Sequence, residues 1–304
     1  MSRGRHRVKD ALFGNASSLC PLFVGVSQVQ APISGTLERS SQSPDGKCWF
    51  EYYATGAGRV LRYPKLVDFV FDPDLLSAGV CALPALTCDR DTVEHLFHNS
   101  MLPMLLADGG ALMLHGAAID MDGSAVVFIG PSGRGKSTLA ASFAASGVPF
   151  LSDDSIRLNP VADGYIAQPG YPSVRLWRDS DAAVISRRLP APSGVNFSGK
   201  LRYAAGGEIP HASSPVPLRA IYVLAREDVS ATTITSLSAN DALMEFVQQS
   251  FILDIRSERV LSGHFERMAA LADKVLAFRL DYPRVYGRLP EVHAAILDHA
   301  RSLP

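Results

Sequence analysis

The chain has 304 residues, enough for one large core or two modest ones. Its 29 Lys and Arg against 30 Asp and Glu give a formal net charge of −1, which argues against a surface built to neutralise the many phosphates of a nucleic acid. No run of about 18 apolar residues marks a membrane span, and Cys20, Cys48, Cys81 and Cys88 have neither C-x-x-C spacing nor a neighbouring histidine pattern, so no zinc site or disulfide framework is implied.

The basic start "MSRGRHRVK" runs into a segment interrupted by Asn15, Ser17 and Ser18, a poor hydrophobic region for a secretory signal; a reducing cytoplasm is the expected setting. From Ala11 to about Pro84, short apolar and aromatic runs such as "CWFEYYA" and "RVLRYPKLVDFVF" alternate with Gly, Pro, Asp and Ser, so residues 1–90 form a strand-rich N-terminal region. Residues 91–304 form the second domain. Asp91 is the expected N-cap of a helix in which Val93, Leu96, Phe97, Met101, Met104 and Leu105 recur at helical spacing, with Pro103 as a kink. "ALMLHGAAID" and "SAVVFIG" are buried strands joined by the turn "DMDG". "KSTLAASFAAS" is a helix ending at Gly147, and "VPFLS" is a further strand. Residues 189–217 have no regular pattern and suggest a functional loop over a substrate. "AIYVLAR" and "TTITSL" predict late strands, and helices are predicted over "ANDALMEFVQQSFIL" and from Glu291 onward.

Gly130-Pro131-Ser132-Gly133-Arg134-Gly135-Lys136-Ser137, followed by Thr138, satisfies G-x-x-x-x-G-K-[ST] between a strand-like and a helix-like run. Glycines there let the backbone bend so that its N–H groups point at phosphate oxygens with no Cβ in the way. Lys136 is expected to bridge the β- and γ-phosphates and the Ser137 hydroxyl to hold Mg²⁺, while Arg134 is a spacer facing solvent. Asp153 and Asp154 close the strand after that helix, at the carboxyl edge of a parallel sheet. Adjacent positions on an extended strand point to opposite faces, so one carboxylate can address Mg²⁺ while the other faces an acceptor hydroxyl. His115, in "LMLHGAA", is either a core histidine or a partner of the catalytic aspartate or a phosphate.

Taken together, "LHGAAIDMDGSAVVFIGPSGRGKSTLAASFAASGVPFLSDDSIRL" resembles the catalytic core of the HPr kinase/phosphorylase family: His-Gly, a short hairpin, the phosphate loop, one helix, then a strand ending in Asp-Asp. The resemblance implies an α/β, P-loop-containing core of phosphoenolpyruvate carboxykinase-like type, with ATP phosphorylating a serine hydroxyl on a protein. It implies Asp153 as acid/base, Asp154 as a Mg²⁺ ligand, Lys136 and Ser137 on nucleotide and metal, and His115 in support. The family's E-x-R-G-L-G segment is missing, which puts reverse phosphorolysis in doubt; "PGYPSVRLW" stands in its place, and on the resemblance its Arg175 is expected to supply the corresponding charge. "LFHNSMLPMLLADGGALMLHGAAI", "YPSVRLW" and "GKLRYAA" are further similar to HPr kinase-like enzymes that phosphorylate a serine near the end of lasso-peptide precursors. On that resemblance the N-terminal region engages the peptide, and Lys200 and Arg202 either meet transferred phosphate or an acidic substrate or are solvated loop charges.

"VLSGHFERMAALADKVLAFRLD" is superficially like a transporter-ATPase signature, but Asp281 precedes Tyr-Pro where a water-activating Glu is needed, so residues 261–272 are expected to be a helix packed on the sheet. No N-K-x-D segment exists to read guanine. A small-molecule kinase and a non-catalytic nucleotide sensor remain as alternatives, and the sequence leaves a homo-oligomer open.

Overall fold

A computed structural model of the chain describes residues 20–43, 46–184, 194–195, 199–224 and 229–304. The basic N-terminal stretch, and residues 189–193 and 196–198 of the expected loop, lie outside the described residues. The chain divides into two compact units, Met1–Phe97 with Leu253–Arg256, and His98–Ile252 with Ser257–Pro304.

The first unit holds a six-stranded sheet of β1 (Leu22–Val24), β2 (Thr36–Gln42), β3 (Cys48–Thr55), β4 (Gly58–Tyr63), β5 (Val67–Phe71) and β6 (Val80–Pro84), in the order β1-β6-β5-β4-β3-β2. Its core is the apolar face of β4 and β5, where Leu61, Tyr63, Val67 and Phe69 are fully buried. The returning segment is tied to β2 by Arg39 donating to the Leu253 carbonyl (3.2 Å) and Arg256 to the Leu37 carbonyl (3.3 Å). The unit ends with α1 (Arg90–Leu96). Its N-cap is Asp89, whose carboxylate accepts from the Thr92 amide at 2.7 Å; Asp91, the residue expected to cap, lies inside the first turn. The expected continuous helix is also corrected. A π-helical turn, Phe97–Met101, precedes α2 (Leu102–Asp108), so Pro103 falls in the first turn of a new helix, where its missing N–H leaves no bond unmade.

The second unit is built on a nine-stranded mixed sheet. The run expected as one strand breaks at His115 into β7 (Leu112–Leu114), which pairs with β11, and β8 (Gly116–Met121), which pairs with β9 (Ser124–Ile129). Asp122 and Gly123 have φ of 54° and 81°, the left-handed pair that a two-residue hairpin of the right twist requires. Then follow α3 (Lys136–Ala145), β10 (Phe150–Ser152), β11 (Ile156–Val161), β12 (Gly164–Gln168), β13 (Ser173–Leu176), α4 (Arg178–Val184), β14 (Gly194–Val195), β15 (Leu201–Ala204), β16 (Val216–Leu224), β17 (Thr233–Ser236), α5 (Ala239–Gln248), α6 (Glu258–Lys274), β18 (Ala277–Asp281) and α7 (Leu289–Ser302). The segment expected to be irregular thus carries strands: β14 and β15 lie within it, and with β13 they make a separate antiparallel sheet.

Alternation along β8 and β9 sorts the core. Ala117, Ile119, Val126 and Phe128 face one layer with α3 and α7, while Ala118, Val127 and Ile129 face the other with α5 and α6. Burial of both faces explains why these strands read as continuous apolar runs. The parallel sheet expected around the acidic pair is corrected: β10 pairs antiparallel with β8, which pairs antiparallel with β9. Two reversals leave β10 running with β9, and β16 and β18 run parallel to β9 in turn, so all four end at one edge. No helix among the described residues is long and apolar enough to cross a membrane.

Candidate active site

The phosphate loop leaves β9 at Gly130 and enters α3 at Lys136. Gly130 has φ of 135°, and a Cβ on it would meet the Leu224 carbonyl oxygen at 2.8 Å, so the loop can start against the end of β16 only with glycine there. Gly133 and Gly135 also sit in the left-handed region, at 78° and 87°. The Lys136 ammonium is buried and donates to the Gly130 (2.7 Å) and Pro131 (3.2 Å) carbonyls, folded back over its own loop. Burial lowers its pKa to about 8, against the pull of Asp154 and Asp153. Ser132 and Gly133 are exposed at the loop's tip. The Thr138 hydroxyl donates to Ser180 at 3.1 Å.

Asp153 and Asp154 lie just past β10, in a turn closed by the Ser155 amide on the Asp153 carbonyl (2.8 Å), with Asp154 at φ of 64°. Their divergence comes from this turn, not from a strand's pleat. The Asp153 carboxylate is buried; Oδ1 accepts from the Ser137 hydroxyl at 2.7 Å and Oδ2 from the Arg175 amide at 3.3 Å. Burial first, then the Asp154 charge, push its pKa up to about 6, while the Ser137 hydrogen bond, Lys200 and Arg175 oppose the rise. Asp154 is ion-paired to the Arg175 guanidinium, and its carbonyl lies 2.8 Å from His115 Nδ1. A carbonyl can only accept, so Nδ1 carries the proton and Nε2 is left as an acceptor. Burial, then the Lys136 charge, lower the His115 pKa to about 4, so the ring is neutral at pH 7.

Lys200 and Arg202 belong to this neighbourhood. The Lys200 ammonium lies 5.4 Å from the centroid of the exposed Trp177 ring, and its charge acts on His115, Lys136 and Asp153. Arg202 sits directly opposite Arg175 across β13 and β15. The segment before β13 is drawn tight: the Gly170 amide donates to the Leu151 carbonyl at 2.9 Å, and a Cβ on Gly170 would fall 1.9 Å from Ser152 Oγ.

A hydroxyl and a carboxylate at hydrogen-bonding distance beside a glycine-rich loop that opens a helix suit a hard cation. Mg²⁺ is held through one or two carboxylates plus substrate phosphates, not by a dedicated cage, and no group of three or more His, Cys, Asp or Glu that could hold a metal occurs among the described residues. Ser137 with Asp153 fits that demand, whereas the carboxylate of Asp154, the expected metal ligand, is paired with Arg175.

No family model matches the chain, and no curated protein is found similar to it. Among solved structures, it is similar to the Hpr(Ser) kinase/phosphatase from Coxiella burnetii, with a TM-score of 0.33 and 9% sequence identity over 62% of this chain and 95% of that one.

The sequence missed a second set of residues around the loop. The Tyr282 hydroxyl donates to the Arg134 carbonyl (3.5 Å), and Arg284 donates to Tyr282 (3.2 Å) with its guanidinium 4.4 Å from the ring centroid. Arg134, expected as a mere spacer, therefore has its backbone engaged. Tyr286 lies 3.1 Å from Ser180, the partner of Thr138, and donates to Asp179 at 2.7 Å. The available signal is a strand, "LAFRLD", followed by "YPRVY"; nothing local says that β18 ends at the same sheet edge as β9, with β16 between them.

Proposed function

We propose that the chain is an ATP- and Mg²⁺-dependent kinase that transfers the γ-phosphoryl group to a serine hydroxyl of a peptide or protein, the substrate class being that of a ribosomal, lasso-type precursor peptide. The observation that carries the reading is the Ser137–Asp153 contact, because it joins the phosphate loop to a buried carboxylate within hydrogen-bonding reach of the loop, the position that a general base needs. The loop amides and Lys136 would bind the phosphates, and Ser137 with an acidic partner would hold Mg²⁺, which would supply neutralising charge to the phosphates. The serine oxygen forms a bond to the γ-phosphorus as the bond to the β–γ bridging oxygen breaks, and the hydroxyl proton passes to Asp153. Arg175 holds Asp154, His115 fixes the turn that carries both acids, and Lys200 and Arg202 supply cations toward the transferred group. The acceptor assignment draws on the sequence resemblance.

The same contact favours a second division of labour. A loop serine and the carboxylate it touches commonly share one Mg²⁺, which would make Asp153 the metal carboxylate and leave Asp154 toward the acceptor.

Mass spectrometry of a candidate precursor peptide after incubation with ATP tests the reading, with serine-modified product expected from the wild type. Lys136→Ala is expected to lower turnover by at least about 100-fold. Asp153→Asn is expected to keep ATP binding and lose transfer at every Mg²⁺ concentration, whereas partial recovery at high Mg²⁺ would select the second division. Phosphorylation of a metabolite with none of the peptide would replace the substrate class, and ATP binding without any turnover would leave a nucleotide sensor.

A further inference from the structure

One five-residue segment, Tyr282–Tyr286, touches the phosphate loop directly and reaches the loop's helix through Ser180. Because β18 runs parallel to β16 and β16 to β9, the residues after Asp281 emerge at the same edge as the loop. Tyr282, buried, places its hydroxyl on the Arg134 carbonyl and 2.9 Å from where a Cβ on Gly135 would be. Arg284 Nη1 lies 3.4 Å from that same point. Tyr286 continues the line through a hydroxyl chain: Thr138 to Ser180 at 3.1 Å, Ser180 to Tyr286 at 3.1 Å, and Tyr286 to Asp179 at 2.7 Å. Ser180 is buried, whereas the Tyr286 ring and the Asp179 carboxylate at the outer end are exposed.

That outer end needs an explanation. Lys136, Ser137 and Asp153 would define the reactive end of a bound nucleotide and the loop's backbone amides would cradle its inner phosphates, so the nucleoside would extend on the Thr138 side. A carboxylate is an acceptor of adjacent hydroxyls of a ribose, and a phenol ring offers a base an aromatic surface. We propose that Asp179 and Tyr286 form the nucleoside side of the site, with Asp179 accepting from the ribose hydroxyls, Tyr286 bordering the base, and Tyr282 acting as a positioning residue that braces the loop from behind. This rests on the phosphate-loop reading above. The hydrogen bond from Tyr286 holds the Asp179 pKa below the usual carboxylate value, so Asp179 is acceptor-only at neutral pH, as ribose binding requires.

The test is calorimetric binding of ATP, 2′,3′-dideoxy-ATP and inorganic tripolyphosphate, each with Mg²⁺, to the full chain and its Asp179→Asn, Tyr286→Ala and Tyr286→Phe variants. Both altered side chains are exposed, and matching melting temperatures verify folding. Asp179→Asn and Tyr286→Ala are expected to weaken ATP about tenfold while leaving tripolyphosphate within about twofold, and Tyr286→Phe, which keeps the ring, to lose less. Dideoxy-ATP is expected to bind the wild type about as weakly as ATP binds Asp179→Asn. Unchanged ATP affinity in both variants, with tripolyphosphate still bound, would overturn the nucleoside assignment and leave the phosphate loop standing. Failure of the wild type to bind either ATP or tripolyphosphate would overturn the phosphate-loop reading, and this inference with it.

Discussion

At Gly135 the backbone sits at φ of 87°, and the space a side chain would need is taken by the Tyr282 hydroxyl at 2.9 Å. Two independent constraints meet there, conformational and steric, and only the first is written in the motif. Gly135→Ala is therefore expected to reduce ATP affinity at least tenfold, since a left-handed alanine costs about 1–2 kcal/mol before any clash; a binding isotherm checks it, and wild-type affinity would contradict the geometry. The Asp pair was legible in the same partial way. Proximity to the loop picked out Asp153 and Asp154, but the reason they diverge is a turn with a left-handed Asp154, which no periodicity displays. Lys200 and Arg202 were legible as cations only; their company depends on β15 pairing with β13.

Elements were legible where pattern and burial agree. The helix over α3, the strand β10 and the helix α6 follow from local composition and period, and the hairpin between β8 and β9 follows from Asp122-Gly123. Boundaries failed where two candidates competed. At the start of α1 both Asp89 and Asp91 are plausible caps, and the bond to Thr92 decides for Asp89. Asp89→Ala is expected to destabilise the protein by about 1 kcal/mol, while Asp91→Ala, which removes only a first-turn charge, costs about 0.3–0.5 kcal/mol. Denaturant titration of the two variants measures the difference, and equal losses would restore Asp91 as the cap. The split at His115 was invisible because β7 and β8 read as one apolar run until each finds a different neighbour.

For the molecule as a whole, a half-buried histidine links a carboxyl-terminal helix to the loop's helix. His293 on α7 stacks on Phe143 at 3.9 Å, lies 2.6 Å from the Ser142 hydroxyl, and is lowered by burial from 6.5 to about 4. With the folded pKa below the unfolded one, the unfolded chain binds the proton more readily, so this stabilisation is complete above pH 6.5 and is lost as pH falls toward 4. The melting temperature of the wild type is expected to drop more steeply over that window than that of His293→Gln, the two curves running parallel above it. Parallel curves throughout would remove His293 from acid unfolding.

The glycine-rich loop, the acidic pair at one helix's remove and the alternation of buried strands and helices are legible in the chain alone, because each is specified by residues near one another. Only the tertiary structure decided that β10 reaches the loop's edge through an antiparallel neighbour, that Arg175 and Lys200 come to the acids, and that Tyr282 and Tyr286 come to the loop. Those arrangements depend on strand order, and strand order is set by which buried faces fit together, a property that local pattern does not contain.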